Sequence, residues 1–378
     1  MDKLGLYVHI PFCARKCRYC DFVSYPVADK DTHLAYALKV ILEASEKAQI
    51  FGEGCSVDTI YLGGGTPSLI EPGLISEILD SIYTHFWAED DCEITIEVNP
   101  VSQAREKFRA YRSAGVNRVS IGVQSFDPDV LAFLGRPHTA EEAERAVADA
   151  RAEGLDNINI DLMFGVPGQD LTSWERDLKK ALKLAPEHIS FYSLGIEEGT
   201  PLFEDLLEDR FVEIDEILDR RMYHLAKEIL TDAGFRHYEI SNAALPGRES
   251  RHNLKYWSMD PYLGLGAAAH SYFGGRRFAN TSKLTEYMTA VSVSDMTNWA
   301  HENTPGDEMS EFVFLGLRRT EGIRFSDFHT SFGRDFWELY GEETEKLIRR
   351  GLLERDGDEL RLTDLGLDLA NNVFSEYV

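Results

Sequence analysis

Short apolar runs alternate along this chain with longer stretches in which apolar residues return every three or four positions. The short runs, at residues 4–10, 57–62, 93–98, 118–123, 157–163 and 188–194, read as strands. In residues 93–98 the alternation is clean, with Ile94, Ile96 and Val98 on one face. Residues 32–50, 72–86, the stretch ending near 114, 140–153 and 172–184 read as amphipathic helices. Alternation sustained through six strands predicts a parallel sheet with right-handed crossovers. A closed barrel would need eight strands. Six predict an α/β fold with a partial (β/α)6 barrel, its site built from the loops at the strands' C-terminal ends.

After residue 199 the alternation weakens. A charged helix is expected over 214–233 and a strand over 237–241, followed by a segment rich in aromatics and glycine at 252–272. Residues 304–378 read as a separate small α+β unit of winged-helix type, with helices at 309–318 and 337–350, a hairpin at 352–362 and a last helix at 363–375. The expected organisation is a barrel over 1–235, a connecting segment over 236–303 and a C-terminal domain over 304–378.

The charge narrows the function. Lys and Arg number 39 against 65 Asp and Glu, a net −26 in 378 residues. Such a chain repels nucleic-acid phosphates and anionic lipid at long range. Within 301–378 acidic residues outnumber basic ones two to one, so the winged-helix-like unit is not expected to bind DNA. No apolar run reaches the ~20 residues of a membrane span, and no secretory leader is visible. A cytoplasmic protein is expected, where five cysteines point to metal or redox chemistry rather than crosslinks.

Three of those cysteines, Cys13, Cys17 and Cys20, form C-x-x-x-C-x-x-C just after the first strand. Three thiolates on one loop suit an iron–sulfur cubane with one iron left open, whereas structural zinc takes four ligands. His9 in the preceding strand reads as packed, and Cys55 and Cys92 as bystanders. Gly63-Gly64-Gly65-Thr66-Pro67 follows the second strand, where glycines let the backbone approach a ligand. Glu97 ends the third strand, Gln124 the fourth, and Asp161 lies in the fifth, with Arg136 shortly after the fourth. Polar residues recurring at successive strand ends mark a barrel's site.

The run from Tyr7 through Cys13, Cys17 and Cys20 to Phe22 resembles the radical S-adenosylmethionine (radical SAM) superfamily. It is most similar to the branch of oxygen-independent coproporphyrinogen III oxidases and haem chaperones of the HemW type. The resemblance covers essentially the whole chain. It implies a [4Fe–4S] cluster on Cys13, Cys17 and Cys20 whose open iron takes S-adenosylmethionine, and an electron that splits the sulfonium to a 5′-deoxyadenosyl radical. By the same resemblance Tyr7, Gly64, Gly65, Thr66, Glu97, Gln124, Arg136 and Asp161 contact S-adenosylmethionine, and Tyr19 flanks its adenine.

Two functions remain to be separated within that branch. The oxidases carry a further cysteine two positions after the third ligand, where this chain has Phe22, and a leading segment before the first strand. The segment His252-Asn253-Leu254-Lys255-Tyr256-Trp257 resembles the HemW signature, which implies haem binding through His252, with Tyr256 and Trp257 against the porphyrin. The plain alternative is a turn histidine beside core aromatics. His270 sits among small residues, which reads as packing, with iron ligation as the alternative. The expectation is a haem chaperone with haem as cargo and haemoproteins as acceptors. Membrane-bound acceptors, peripheral attachment through one of them, and a homodimer are compatible with it. Radical decarboxylation of coproporphyrinogen III and a radical SAM methylase are the enzymatic alternatives.

Overall fold

The computed structural model describes residues 1–102 and 105–378. Six parallel strands run in sequence order: β1 (Asp2–Ile10), β2 (Cys55–Gly64), β3 (Ala88–Val98), β4 (Arg118–Gln124), β5 (Ile158–Phe164) and β6 (His188–Ser193). Helices cross between them, among them Lys30–Phe51, Pro72–His85, Ala140–Ala152 and Leu171–Lys183. Their starts are chemically marked. Asp29 accepts from the Thr32 N–H, and Thr139 with Glu142 and Asp170 with Ser173 form reciprocal caps.

Along each strand the side chains divide by period two. Leu4, Leu6, Val8 and Ile10 of β1, Ile96 of β3, Val119 and Ile121 of β4, Ile158 and Ile160 of β5 and Ile189 of β6 are buried against the helices. The alternate residues face the concave side, and most are polar: Glu97, Arg118, Ser120, Gln124, Asn159, Asp161 and Ser190. Apolar packing outward holds the sheet, which leaves the inner face free for chemistry.

Residues 236–303 do more than connect. They supply β7 (Arg236–Glu239), β8 (Asn242–Ala244), β9 (Tyr262–Leu265), β10 (His270–Phe273), β11 (Arg276–Asn280) and β12 (Thr297–Glu302), all in the same twelve-stranded sheet. β8 pairs antiparallel with β6 and carries β7. β9 pairs parallel with β1 and is followed by the antiparallel β10, β11 and β12. Pairing both edges of the six-stranded core this way satisfies backbone groups that an open sheet leaves bare.

The C-terminal unit packs the helices Pro305–Gly316, Phe325–Phe332 and Phe336–Arg349 against a three-stranded sheet of β13 (Ile323–Arg324), β14 (Leu353–Asp356) and β15 (Glu359–Leu362), in the order β13-β15-β14. Its core is aromatic, built on Phe312, Phe328, Phe336 and Tyr340. It is tied to the large sheet through Glu308, which accepts from Tyr272, and Glu311, which takes both Nε and Nη2 of Arg277. Among the described residues no helix is long and apolar enough to cross a membrane.

Candidate functional site

The loop after β1 carries the three clustered cysteines and is pinned from three sides. Arg18 donates to the Phe133 carbonyl and pairs with Asp205, and Arg15 donates to the Gly135 carbonyl. The Cys13 N–H donates to Tyr25, whose own N–H returns to Pro11. The Tyr25 hydroxyl reaches the Ser282 carbonyl at 2.5 Å, linking the loop to the β9–β12 edge.

This loop forms the rim of a central cavity of about 510 Å³ on the concave side of the sheet. Cys13, Cys17, Tyr19, Cys20, Gly64, Gly65, Thr66, Glu97, Gln124, Arg136 and Asp161 all line it. Cys13 Sγ lies 3.6 Å from Thr66 Oγ1, and Arg136 Nη1 lies 3.5 Å from Cys17 Sγ while Nη2 donates to the Gly122 carbonyl. Burial pushes the Cys20 thiol up to about 11, with Cys17 and Cys13 adding to it. Neighbouring thiolates in a partly dry site repel one another, and cationic iron would relieve that repulsion. Among the described residues no three His, Cys, Asp or Glu side chains converge as one mononuclear ion would require. A cubane asks for something else, since each thiolate meets its own iron. The donor set fits a cluster in that respect.

The strand-end wall is polar and half-buried. Glu97 accepts from the Tyr61 hydroxyl at 2.9 Å and from the Gly64 N–H at 3.1 Å. Asp161 accepts from Asn159 at 2.7 Å and Ser120 at 3.1 Å. Burial, then the nearby Asp161 charge, raises the Glu97 carboxyl to about 7, and burial raises Asp161 as well. Burial also works against the charge of Arg136, but Tyr19, Cys17 and Asp161 facing it more than offset that cost. The glycine turn is shaped by close approach. Gly64 has φ +109°, and a Cβ there would fall 2.5 Å from the His9 ring. Gln124 holds a left-handed φ of +67° where β4 is bulged against β5. A bulky residue in that region is strained, and such strain clusters where a side chain must be aimed.

Tyr7 falls elsewhere. It does not line the central cavity but a second, lateral one of about 620 Å³, and its hydroxyl is spent on His9 Nδ1 at 3.0 Å. His9 Nε2 donates to the Val23 carbonyl, so both ring nitrogens are used and His9 is packed as the sequence suggests.

The residues 251–258 form a helix (Arg251–Ser258) laid on the inner face of β1 and β2. Gly5 makes room for it, because a Cβ there would come within 2.9 Å of Lys255 and 3.3 Å of His252. His252 is fully buried and stacked on Tyr61, with Nδ1 bonded to Thr59 Oγ1 at 2.9 Å and Nε2 to the Tyr256 hydroxyl at 2.8 Å. Burial, then Lys255, pushes its ring down to about 3. Both of its ring nitrogens thus have hydroxyl partners in this arrangement. Tyr256 lines the lateral cavity, whereas Trp257 packs under the Arg318 guanidinium.

Arg118 escapes any motif reading. It is 2% exposed, lines the central cavity, and leaves its Nε without a hydrogen-bond partner. Its charge favours the ionised forms of Glu97 and Asp161. Tyr61, Ser120, Asn159 and Ser190 were equally hidden. The only signal for them was their inward parity on strands whose other face is apolar.

The Radical SAM superfamily profile matches residues 7–181, and the HemN C-terminal domain profile matches 303–369. The chain is 38% identical over 388 residues to the "Heme chaperone HemW" of Escherichia coli (strain K12), spanning 100% of this chain and 99% of that protein. It is 34% identical to that of Bacillus subtilis (strain 168), covering 98% of each. A mitochondrial "Radical S-adenosyl methionine domain-containing protein 1" of Bos taurus is 33% identical over 98% of this chain and 86% of its own length. Among solved structures, the coproporphyrinogen III oxidase HemN of Escherichia coli, described as a radical SAM enzyme, superposes with a TM-score of 0.87 at 24% identity. That match covers 100% of this chain and 90% of the other, and at such identity it speaks for the fold alone.

Proposed function

The chain belongs to the radical SAM superfamily and, within it, to the family of the haem chaperone HemW; on that premise we propose that it binds haem and delivers it to acceptor haemoproteins in the cytoplasm, with a [4Fe–4S] cluster and S-adenosylmethionine held in the central cavity. The observation that carries the cofactor half is the assembly of Cys13, Cys17 and Cys20 on the rim of a cavity that Glu97, Asp161 and Arg136 also line. The name of the relatives carries the haem half.

In this reading the three thiolates hold the cluster and leave one iron open. Such a cluster, once bound with S-adenosylmethionine, supplies reductive cleavage of the sulfonium. This chain's own contribution is positioning. The Gly64–Thr66 turn brings backbone close to the ligand. Glu97, as a carboxylate, accepts hydrogen bonds from ligand hydroxyl or ammonium groups, and Asp161 and Gln124 orient the nucleoside from the adjoining strands. Arg136, already bonded to Cys17, holds positive charge beside the cluster.

Anaerobic reconstitution with iron and sulfide, followed by haem titration on the same sample, tests both halves. The wild type is expected to show cluster iron, sulfide and a reduced EPR signal, and a Soret band on haem addition. The Cys13→Ala, Cys17→Ala, Cys20→Ala triple variant is expected to lose the cluster signals. Retention of the cluster in that variant, or no Soret band in the wild type, removes the corresponding half. Formation of protoporphyrinogen from coproporphyrinogen III, with reductant and S-adenosylmethionine, would place the chain with the oxidases.

A further inference from the structure

Building on the haem-binding reading above, we propose that haem lies in the lateral cavity at the β9–β12 edge, with His270 as a ligand to its iron. Pairing places the side chains. His270 of β10 stands opposite Ala279 of β11, and Ala279 stands opposite Trp299 of β12. Residues directly paired across strands share a face. The row therefore presents an imidazole and an indole with only a methyl between them, their rings 6.2 Å apart. Phe22 and Tyr262 complete an aromatic surround. A flat, largely apolar macrocycle with a metal at its centre is the ligand class such a slot suits, and its volume of about 620 Å³ lies within the ~300–1,000 Å³ of ordinary ligand pockets.

His270 differs from the other histidines of the chain in the way ligation requires. Of the eleven, only the rings of His85 and His270 make no hydrogen bond among the described residues, and His85 sits at the exposed end of a helix. The His270 ring is exposed into the cavity, and partial burial, with Arg277 adding to it, holds it below the ordinary imidazole range. At pH 7 its ring is neutral and can form a coordinate bond to iron through its lone pair. The small residues before His270 pack closely, since a Cβ on Gly266 would fall 2.5 Å from the His9 carbonyl oxygen. The close packing of that run leaves His270 projecting beyond it.

Two exposed aromatics strengthen the assignment. Phe22 is 63% and Trp299 48% exposed, and both border this cavity. Large apolar side chains grouped around an accessible pocket mark a ligand surface. Phe22 and Asp21 also border the central cavity, so a haem here would abut the cluster loop. The two cavities share that wall, which gives haem occupancy and the cofactor site a physical contact.

Haem titration of the cluster-loaded protein, read by Soret absorption and low-spin ferric EPR, decides the matter. The wild type is expected to give an imidazole-type spectrum. His270→Ala should weaken binding at least about tenfold and lose that spectrum. His270→Cys should replace it with a thiolate-type spectrum, which a merely structural role would not produce. Iron and sulfide content serves as the folding check, and Trp299→Ala, with the ligand intact, should weaken binding while keeping the imidazole signature. Wild-type affinity and spectrum in both His270 variants would overturn the site while leaving haem binding in place. Absence of haem binding by the wild type would overturn the haem reading itself, and this assignment with it.

Discussion

The two cavities on either side of the cluster loop are built by opposite rules. The central one is lined by the cluster loop and the inner residues of strands β2–β6, and its walls carry half-buried carboxylates, hydroxyls and the Arg136 guanidinium fixed by hydrogen bonds, with Arg118 beside them. The lateral one is lined by β1, the helix Arg251–Ser258, the β9–β12 edge and the cluster loop, where aromatic rings stand among Asp21, Asn280, Ser282 and Asn298 beside a His270 ring without a hydrogen bond. A preorganised polar wall suits a ligand rich in hydroxyl, amine and carboxylate groups, because each buried group finds a partner. An aromatic slot suits a flat ligand held by area and one coordinate bond. The two kinds of wall meet at Asp21 and Phe22, which border both cavities.

Their supports differ too, and that difference can be broken experimentally. The lateral edge hangs on a buried ion pair in the helix Lys30–Phe51. Glu43 meets Lys47 at 2.8 Å and accepts from Gly266 N, Asn280 and Tyr287, while Lys47 donates to the Gly264 carbonyl. Removing one partner leaves an uncompensated charge and several orphaned donors. Glu43→Ala should therefore cost about 3–5 kcal/mol. Hydrogen exchange should show residues 262–281 losing protection first, with β3–β5 retaining theirs; uniform loss would mean that the two regions are one cooperative unit.

The central cavity is more sensitive to backbone shape. Gly64→Ala places a Cβ against the His9 ring at a φ that side chains resist, an expected cost of about 1–3 kcal/mol. S-Adenosylmethionine binding should fall by isothermal titration while haem titration stays near wild type. Equal loss of both would show that the shared wall, not the turn, is the sensitive element.

A pH experiment tests the polar wall. The Glu97 carboxyl is raised to about 7, so between its ordinary range and pH 7 the folded chain holds a proton that the unfolded chain has released. Stability from this group therefore falls as pH rises through that window, and the penalty is complete above about 7. Ligand hydrogen bonds to the carboxylate favour the ionised form, so S-adenosylmethionine affinity should rise as pH climbs through 7. Glu97→Gln should flatten both slopes. An unchanged slope in that variant would assign the titration elsewhere, with Asp161 the next group to test.

The smallest effect concerns the tie between the regions. Tyr25→Phe deletes the hydroxyl that donates to Ser282 and accepts from Leu284 N at 3.2 Å. A loss of about 1 kcal/mol by denaturant unfolding is expected.

Much of the central site was legible from the chain. Cys13, Cys17 and Cys20 sit on one loop, and the strand-end residues Glu97, Gln124 and Asp161 face one cavity, because parallel strands of period two with one apolar face force the alternate residues inward. Tyr7 obeys the same parity, but it stands on β1 at the boundary between cavities and its hydroxyl turns to His9. Arg118 and Tyr61 carry no motif, and only their neighbours make them part of the site. The motif at His252–Trp257 was visible in the sequence, but that it forms a helix (Arg251–Ser258) was not.

By itself the sequence determined the strand–helix order, the polar inner face, the cluster loop and the acidic charge, since periodicity and local spacing act over a few residues. The tertiary structure decided where 236–303 goes and what its histidines do. β9 joins β1 across more than two hundred and fifty residues of chain, and that pairing seats His252 between Tyr61 and Thr59 while turning His270 outward beside Trp299. Both are imidazoles near aromatic residues in the sequence. Which one keeps a free nitrogen depends on hydrogen-bond partners contributed by distant strands, and no local pattern records them.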